Sequence, residues 1–213
     1  LTYASPLYAS GYGERLPGSD DAATLWSASS AWKVARNIPA PDTQGDALRL
    51  ALARNETEAV QLVVRPARDL TGFLATAGDL EGPDGGVIPA DSVDVLRVRY
   101  VNVTTPTDRL GAIAPWPEPL PPFRGPIDLL ADQNQPLWIR VRAEEGLPAG
   151  IYHGEIHLTA DGYDATVPLE VEVYGFTLPR EMTMETAFGA SEGIVAQYHR
   201  LDSMEDRRAV WEM

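Results

Sequence analysis

The feature that most constrains this chain is the alternation running from Asn134 to Pro179, NQPLWIRVRAEEGLPAGIYHGEIHLTADGYDATVPLEVEVYGFTLP. Leu137, Ile139 and Val141 alternate with Trp138, Arg140 and Arg142. Tyr152, Gly154, Ile156 and Leu158 alternate with His153, Glu155, His157 and Thr159. Val167, Leu169, Val171 and Val173 then repeat the pattern. A period of two gives a strand with one buried face and cannot give an amphipathic helix. Pro148-Ala149-Gly150 separates the first two runs, and Asp161-Gly162 is a hairpin signal between the second and third.

The same reading extends upstream. TLWSASSAWKV (24–34) reads as a strand anchored by Trp26 and Trp32. Leu48, Leu50 and Leu52 alternate over 47–53, and Val60, Leu62 and Val64 over 59–65. With Arg54-Asn55-Glu56-Thr57 as a turn, these two runs are expected to be consecutive antiparallel strands. Residues 93–103 form a further strand whose apolar register shifts near Val95 and Val101, which implies a bulge or full burial. EGPDGG (81–86) is a turn cluster. Residues 105–134, with the proline-dense APWPEPLPPFRGP (114–126), form a long surface loop, because proline cannot serve a central strand. Seven or more short strands joined by turns imply a mainly β domain, an antiparallel β-sandwich.

Charge and composition narrow the function. The net charge of -14 comes without any Lys/Arg cluster, which disfavours nucleic acid and anionic membrane as partners. No apolar run is long enough to span a bilayer. With no Cys there is no disulfide framework and no thiolate site. The opening LTYASPLYASGYGERL lacks a signal-peptide core and reads as the start of a mature or trimmed chain.

After Pro179 the texture changes. Residues 183–188 read as one buried strand, 189–200 as a loop, and Ser203-Met204-Glu205-Asp206 as a helix start. The expected organisation is a lead-in over 1–23, a β-sandwich accessory domain over 24–179, and an incomplete first β/α unit over 180–213. That last segment would be the truncated strand-loop-helix start of a (β/α)8 barrel.

ARNETEAVQLVVRP (53–66), NQPLW (134–138), PAGIYHGEI (148–156) and VYGFTLP (173–179) together resemble the N-terminal β-sandwich of glycoside hydrolase family 123 and its uncharacterised relatives. The resemblance covers about residues 24 to 190. It implies a following (β/α)8 barrel with an Asp-Glu pair that hydrolyses a β-linked N-acetylgalactosaminide through the substrate's own acetamido group, with retention. Glu205-Asp206 has the wrong order and element for that pair, so no residue of this chain inherits a catalytic role. The implied partners are a glycan, reached through the downstream barrel, and the barrel itself as an intramolecular packing partner. A secreted, periplasmic or cell-surface protein of bacterial type is expected, without a cofactor. The alternatives are a non-catalytic carbohydrate-binding module and an Ig-like spacer of a surface protein.

The candidate substrate contacts are Ser191, Glu192, Tyr198 and His199, which would lie in the first βα loop, the face where barrel enzymes bind substrate. Trp116 and Phe123 in the proline-rich loop are candidates for stacking on sugar rings, or are surface anchors packed on the sandwich. His153, Glu155 and His157 share one strand face. They read as a solvated outer face, with a zinc or nickel site as the alternative. Asp20-Asp21 and Glu144-Glu145 read as solvated acidic pairs rather than calcium ligands. No metal site is expected.

Overall fold

The computed structural model describes residues 5–181, 183–185, 189 and 191–211. The chain divides into two compact units, Leu1–Leu178 and Pro179–Met213.

The first unit is built from strands. Its first half holds β1 (Glu14–Arg15), β2 (Ala23–Ser29), β3 (Leu48–Arg54), β4 (Glu56–Pro66), β5 (Leu70–Ala77), β6 (Leu80–Glu81) and β7 (Val87–Ile88). Its second half holds β8 (Val93–Arg97), β9 (Tyr100–Val103), β10 (Ala114–Pro117), β11 (Ile127–Leu129), β12 (Gln135–Ala143), β13 (Gly150–Ala160) and β14 (Tyr163–Thr177). One sheet runs β1-β2-β4-β12-β8, and a second runs β11-β5-β13-β14-β3 with β6 and β7 attached beside β13. A separate ribbon pairs β9 with β10. The pairings among these strands are antiparallel except β14 with β3.

The alternating residues do what their spacing predicts. Val60, Leu62 and Val64 of β4 and Leu137, Ile139 and Val141 of β12 bury one face of the first sheet. Ile156 and Leu158 of β13 and Val167, Leu169 and Val171 of β14 bury one face of the second. All of them belong to a single hydrophobic cluster, so the two sheets share one core. Each fully buried Val, Leu or Ile contributes about 1.5–3 kcal/mol relative to exposure. The 161–162 turn closes as a hairpin, with Ala160 opposite Tyr163 and Gly162 at φ 66°.

Several expectations fail in instructive ways. The runs at 47–53 and 59–65 are not a hairpin. β3 lies in the second sheet beside β14, and β4 lies in the first between β2 and β12. The chain therefore crosses between layers at Asn55, which takes a left-handed φ of 61°. The expected strand 24–34 stops at Ser29, and the segment carrying Trp32 turns away. Residues 93–103 form two strands that part at Val98-Arg99 and enter different sheets. Within the loop expected over 105–134, β10 pairs only with β9 and β11 only with β5, both at edges.

Asn55 ties the crossover to its surroundings. Its N–H donates to Ala143 O at the end of β12 (2.8 Å), and its Nδ2 donates to Leu178 O beyond β14 (2.9 Å). Leu178 N–H donates to Arg54 O (2.9 Å), Arg54 Nε to Leu147 O (2.6 Å), and Ala53 N–H to the Glu56 carboxylate (2.6 Å).

In the second unit, residues 183–185 form no strand, and 186–188 of the expected strand lie outside the described residues. The expected loop 189–200 is instead a helix, α1 (Glu192–His199). Ser191 caps it, its Oγ accepting from Ile194 N–H (3.4 Å). Arg200 ends it at φ 53°, with Leu201 N–H donating back to Ala196 O (2.9 Å), a Schellman closure. A second helix, α2 (Met204–Trp211), starts behind Ser203, whose Oγ accepts from Asp206 N–H (3.0 Å). Among the described residues no helix is long and apolar enough to cross a membrane.

The crossover makes a stability prediction. Asn55→Ala keeps the left-handed strain and loses the bond to Leu178, so it costs about 1–3 kcal/mol. Asn55→Gly loses the bond but relieves φ, and costs less. Urea unfolding midpoints of both variants check this: Asn55→Gly as stable as the wild type would show that the bond to Leu178 contributes nothing net, and equal losses would show that φ strain does not matter here.

Candidate functional site

Directly opposed residues of an antiparallel ladder point to the same face. In the first sheet Leu96, Trp138, Gln61 and Ala28 therefore form one outward row, away from the shared core. Pro136, Val63 and Trp26 form the next. The second row is covered. Leu7, Val34, Ala35 and Ile38 bury Trp26 and Val63, and Tyr12 and Trp116 pack on the same cluster.

Asn134 and Gln135, the polar start of the NQPLW motif, hold this cover in place. Asn134 Nδ2 donates to Ala35 O (2.9 Å) and Ile38 O (2.8 Å), and Gln135 Nε2 to Val98 O (2.9 Å). Tyr100 adds a hydroxyl donated to Val34 O (2.9 Å), with the Arg36 guanidinium 4.3 Å over its ring. Burial raises the Tyr100 pKa well above the ordinary range and pushes Tyr12 up to about 12.

In the first row Ala28, Gln61 and Leu96 are buried as well, and Trp138 is left half-buried. Gln61 and Trp138 border a cleft of about 220 Å³ whose walls are Ser30–Lys33 on one side and Pro117–Leu120 on the other. Gln61 Nε2 donates to Ser29 O (2.9 Å) and Trp32 O (2.8 Å), which fixes the turn that presents Trp32. Trp32 stacks on Tyr12 with ring centroids 4.2 Å apart and planes 4° from parallel. Lys33 Nζ pairs with the Glu118 carboxylate across the mouth. Both partners are exposed, so the pair contributes little stability and can exchange partners freely. Trp32 also borders a second cleft of about 410 Å³, lined by Glu14, Ser27, Ser29, Thr43 and Arg49.

The structure places the sequence-derived candidates as follows. Trp116 sits in β10, with its indole packed on the second cluster and Nε1 donating to Ala112 O (2.7 Å). Phe123 packs on the main core, 6.2 Å from the Phe73 ring. Ser191 and Glu192 lie at the start of α1, with the Glu192 side chain outside what is described. Tyr198 and His199 lie at its other end, exposed to solvent. A helix separates these two pairs by about 1.5 Å per residue, where a loop could have gathered them.

His153, Glu155 and His157 are exposed. His153 lies 4.0 Å from Glu170 and His157 3.9 Å from Glu155, and no metal-competent cluster exists among the described residues. Asp20 accepts from the N–H groups of Ala22 and Ala23, and Glu144 pairs with Arg142. The residues that sequence reasoning missed are Lys33, Gln61 and Glu118. Gln61, a polar residue on a strand otherwise rich in Val and Leu, was the signal.

No family model and no curated protein matches the chain. Among the solved structures similar over most of this chain's length is a family 123 glycoside hydrolase from Clostridium perfringens, described for glycolipid glycan hydrolysis, with a TM-score of 0.70 at 15% identity. The match covers 86% of this chain and 33% of that enzyme, so the chain spans a third of its neighbour's length and shares the fold of that part. The CooA pilin subunit of enterotoxigenic Escherichia coli (TM-score 0.34, 17% identity, 70% of this chain and 98% of that one) is too distant to support an argument. So is a GH20 exo-β-N-acetylglucosaminidase from Vibrio harveyi (0.24, 16%, 68% and 20%).

Two predictions test the packing. Trp116→Ala removes half-buried apolar surface and one hydrogen bond, and lowers stability by about 1–3 kcal/mol in urea titration. Tyr12 and Tyr163 keep their protons to about pH 12, whereas an unfolded tyrosine ionises near 10.0. Stability from these groups is therefore full below pH 10 and falls as pH rises toward 12. Urea midpoints measured across that window should fall in the wild type and fall less steeply in Tyr12→Phe.

Proposed function

We propose that this chain is the supporting β portion of a glycoside hydrolase related to family 123, with the catalytic residues lying outside it. The observation that carries this reading is the extended likeness to the Clostridium enzyme, a TM-score of 0.70 over 86% of the chain that accounts for only 33% of the enzyme. The two sheets and their shared core form a sandwich that braces a (β/α)8 barrel, and residues 180–213 belong to the barrel's opening segment. The substrate class is a glycan carrying a β-linked N-acetylgalactosaminide, cleaved with retention through its acetamido group. The protein acts outside the cytoplasm, in the periplasm, at the cell surface or in the medium.

The chemistry of the chain itself supports the division of labour. Glycoside hydrolysis generally needs two carboxyl groups at the scissile bond, and the substrate-assisted form that the resemblance implies uses an Asp-Glu pair. The candidate contacts at 191–199 contain a single carboxylate, Glu192.

The test compares two polypeptides on 4-nitrophenyl N-acetyl-β-galactosaminide. The 213-residue chain should release no nitrophenol above the buffer rate, and a longer polypeptide that includes it and the residues after it should turn over. Turnover by the short chain alone overturns the proposal, as does an inactive long polypeptide across a panel of aryl N-acetylhexosaminides.

A further inference from the structure

We propose that the cleft between Trp32 and Trp138 is a binding site for one pyranose ring of a glycan, served by Lys33 and Glu118, with Gln61 holding the turn that carries Trp32. The ligand class follows from the cleft's own chemistry and does not rest on the hydrolase reading. Two indoles border the cleft, and Trp32 is 39% exposed, held against Tyr12 by stacking instead of by burial. Indole faces take up the C–H side of a sugar ring, because they offer a large apolar surface at little entropic cost. The polar groups around them suit hydroxyls. Lys33 donates, Glu118 accepts, and their mutual pair is solvent-exposed, so sugar hydroxyls can replace it without leaving a buried charge behind.

The elements that hold these groups are rigid where rigidity counts. Trp138 and Gln61 are directly opposed within the nine consecutive residue pairs of the β4–β12 ladder. Gln61 in turn fixes the Trp32 carbonyl at 2.8 Å. The remaining wall comes from Pro117–Leu120, where the proline content limits backbone freedom. A small preorganised cleft with an apolar wall and a few converging polar groups is the general form of a small-molecule site.

Size selects between the two ligand classes that tryptophan clefts accept. At about 220 Å³ the cleft is smaller than the roughly 300–1,000 Å³ of drug-sized sites, and it suits one ring. A proline-rich peptide needs an extended groove for several residues. The net charge of -14 further selects neutral over anionic glycans.

Titration of the 213-residue chain with the methyl β-glycosides of galactose, glucose and N-acetylgalactosamine, and with their disaccharides, followed by tryptophan fluorescence and calorimetry, tests this. We expect saturable millimolar binding to at least one of them. Trp138→Ala should weaken it at least about tenfold and Lys33→Ala about threefold, while Trp116→Ala leaves it unchanged. Because Trp138→Ala could disturb the sheet, the exposed Glu118→Ala provides an independent check, with the same threefold loss at an unchanged melting temperature. Absence of saturable binding to the whole panel overturns the proposal. Binding that survives both Trp138→Ala and Glu118→Ala overturns it too, as does a PxxP peptide that outcompetes every sugar. Sugar binding by the short chain beside an inactive long polypeptide would sink the hydrolase reading alone. An active long polypeptide whose short chain binds no sugar would sink this proposal alone.

Discussion

The first unit depends on one crossover. Between Arg54 and Glu56 the chain leaves one sheet and enters the other, and a single residue must make the change of direction. Asn55 does so in the left-handed region, at a conformational cost of about 1 kcal/mol that its two hydrogen bonds offset. Those bonds reach the end of β12 and the residue after β14, while Arg54 reaches the turn before β13. Each of these segments is the terminus of a long strand. One turn therefore sets the relative register of both layers at the same end of the core.

This explains why four sequence motifs read as a group. ARNETEAV contains the crossover, and the residues just before PAGIY carry the carbonyls of Ala143 and Leu147 that it binds. GFTLP supplies Leu178. NQPLW works elsewhere, with its Asn and Gln holding the loops that cover the outward face of the first sheet. Their order and spacing record how a scaffold is tied together. The likeness to a family 123 glycoside hydrolase that goes with them is a likeness of fold.

Strands were legible because burial on one side imposes period two locally. Their partners were not, since periodicity says which face is buried and never against which strand. β3 and β4 have matching patterns and a short connection, yet each finds its neighbours far away in sequence. β5 escaped notice for a different reason. Its buried positions are Leu70, Phe73 and Ala75, so the spacing is uneven near Gly72 at φ 69°, and its ladder with β11 shifts register there. α1 was hidden by Gly189 and Gly193, which read as loop. Ser191 followed by Ile194, Val195 and Ala196 was the cap and apolar run that should have outweighed them.

The open cleft shows how a site can fall between such readings. The proline-rich segment drew attention for its aromatic rings, but Trp116 and Phe123 are the residues it turns inward, while Glu118 and Leu120 are turned toward the cleft. Alternation had already placed Trp138 away from the core. What sequence could not supply was that Trp32, on a segment read as continuous strand, leaves the sheet at Ser29 and returns over the Gln61 row. The β4–β12 ladder joins this cleft to the crossover, since Glu56 opposite Ala143 and Gln61 opposite Trp138 lie five pairs apart, about 17 Å along the strands. The ladder that fixes the layers at one end thus also fixes the cleft's two central residues. The cleft's shape therefore comes from the sheet, and only its mouth, Lys33 against Glu118, is free to respond to what enters.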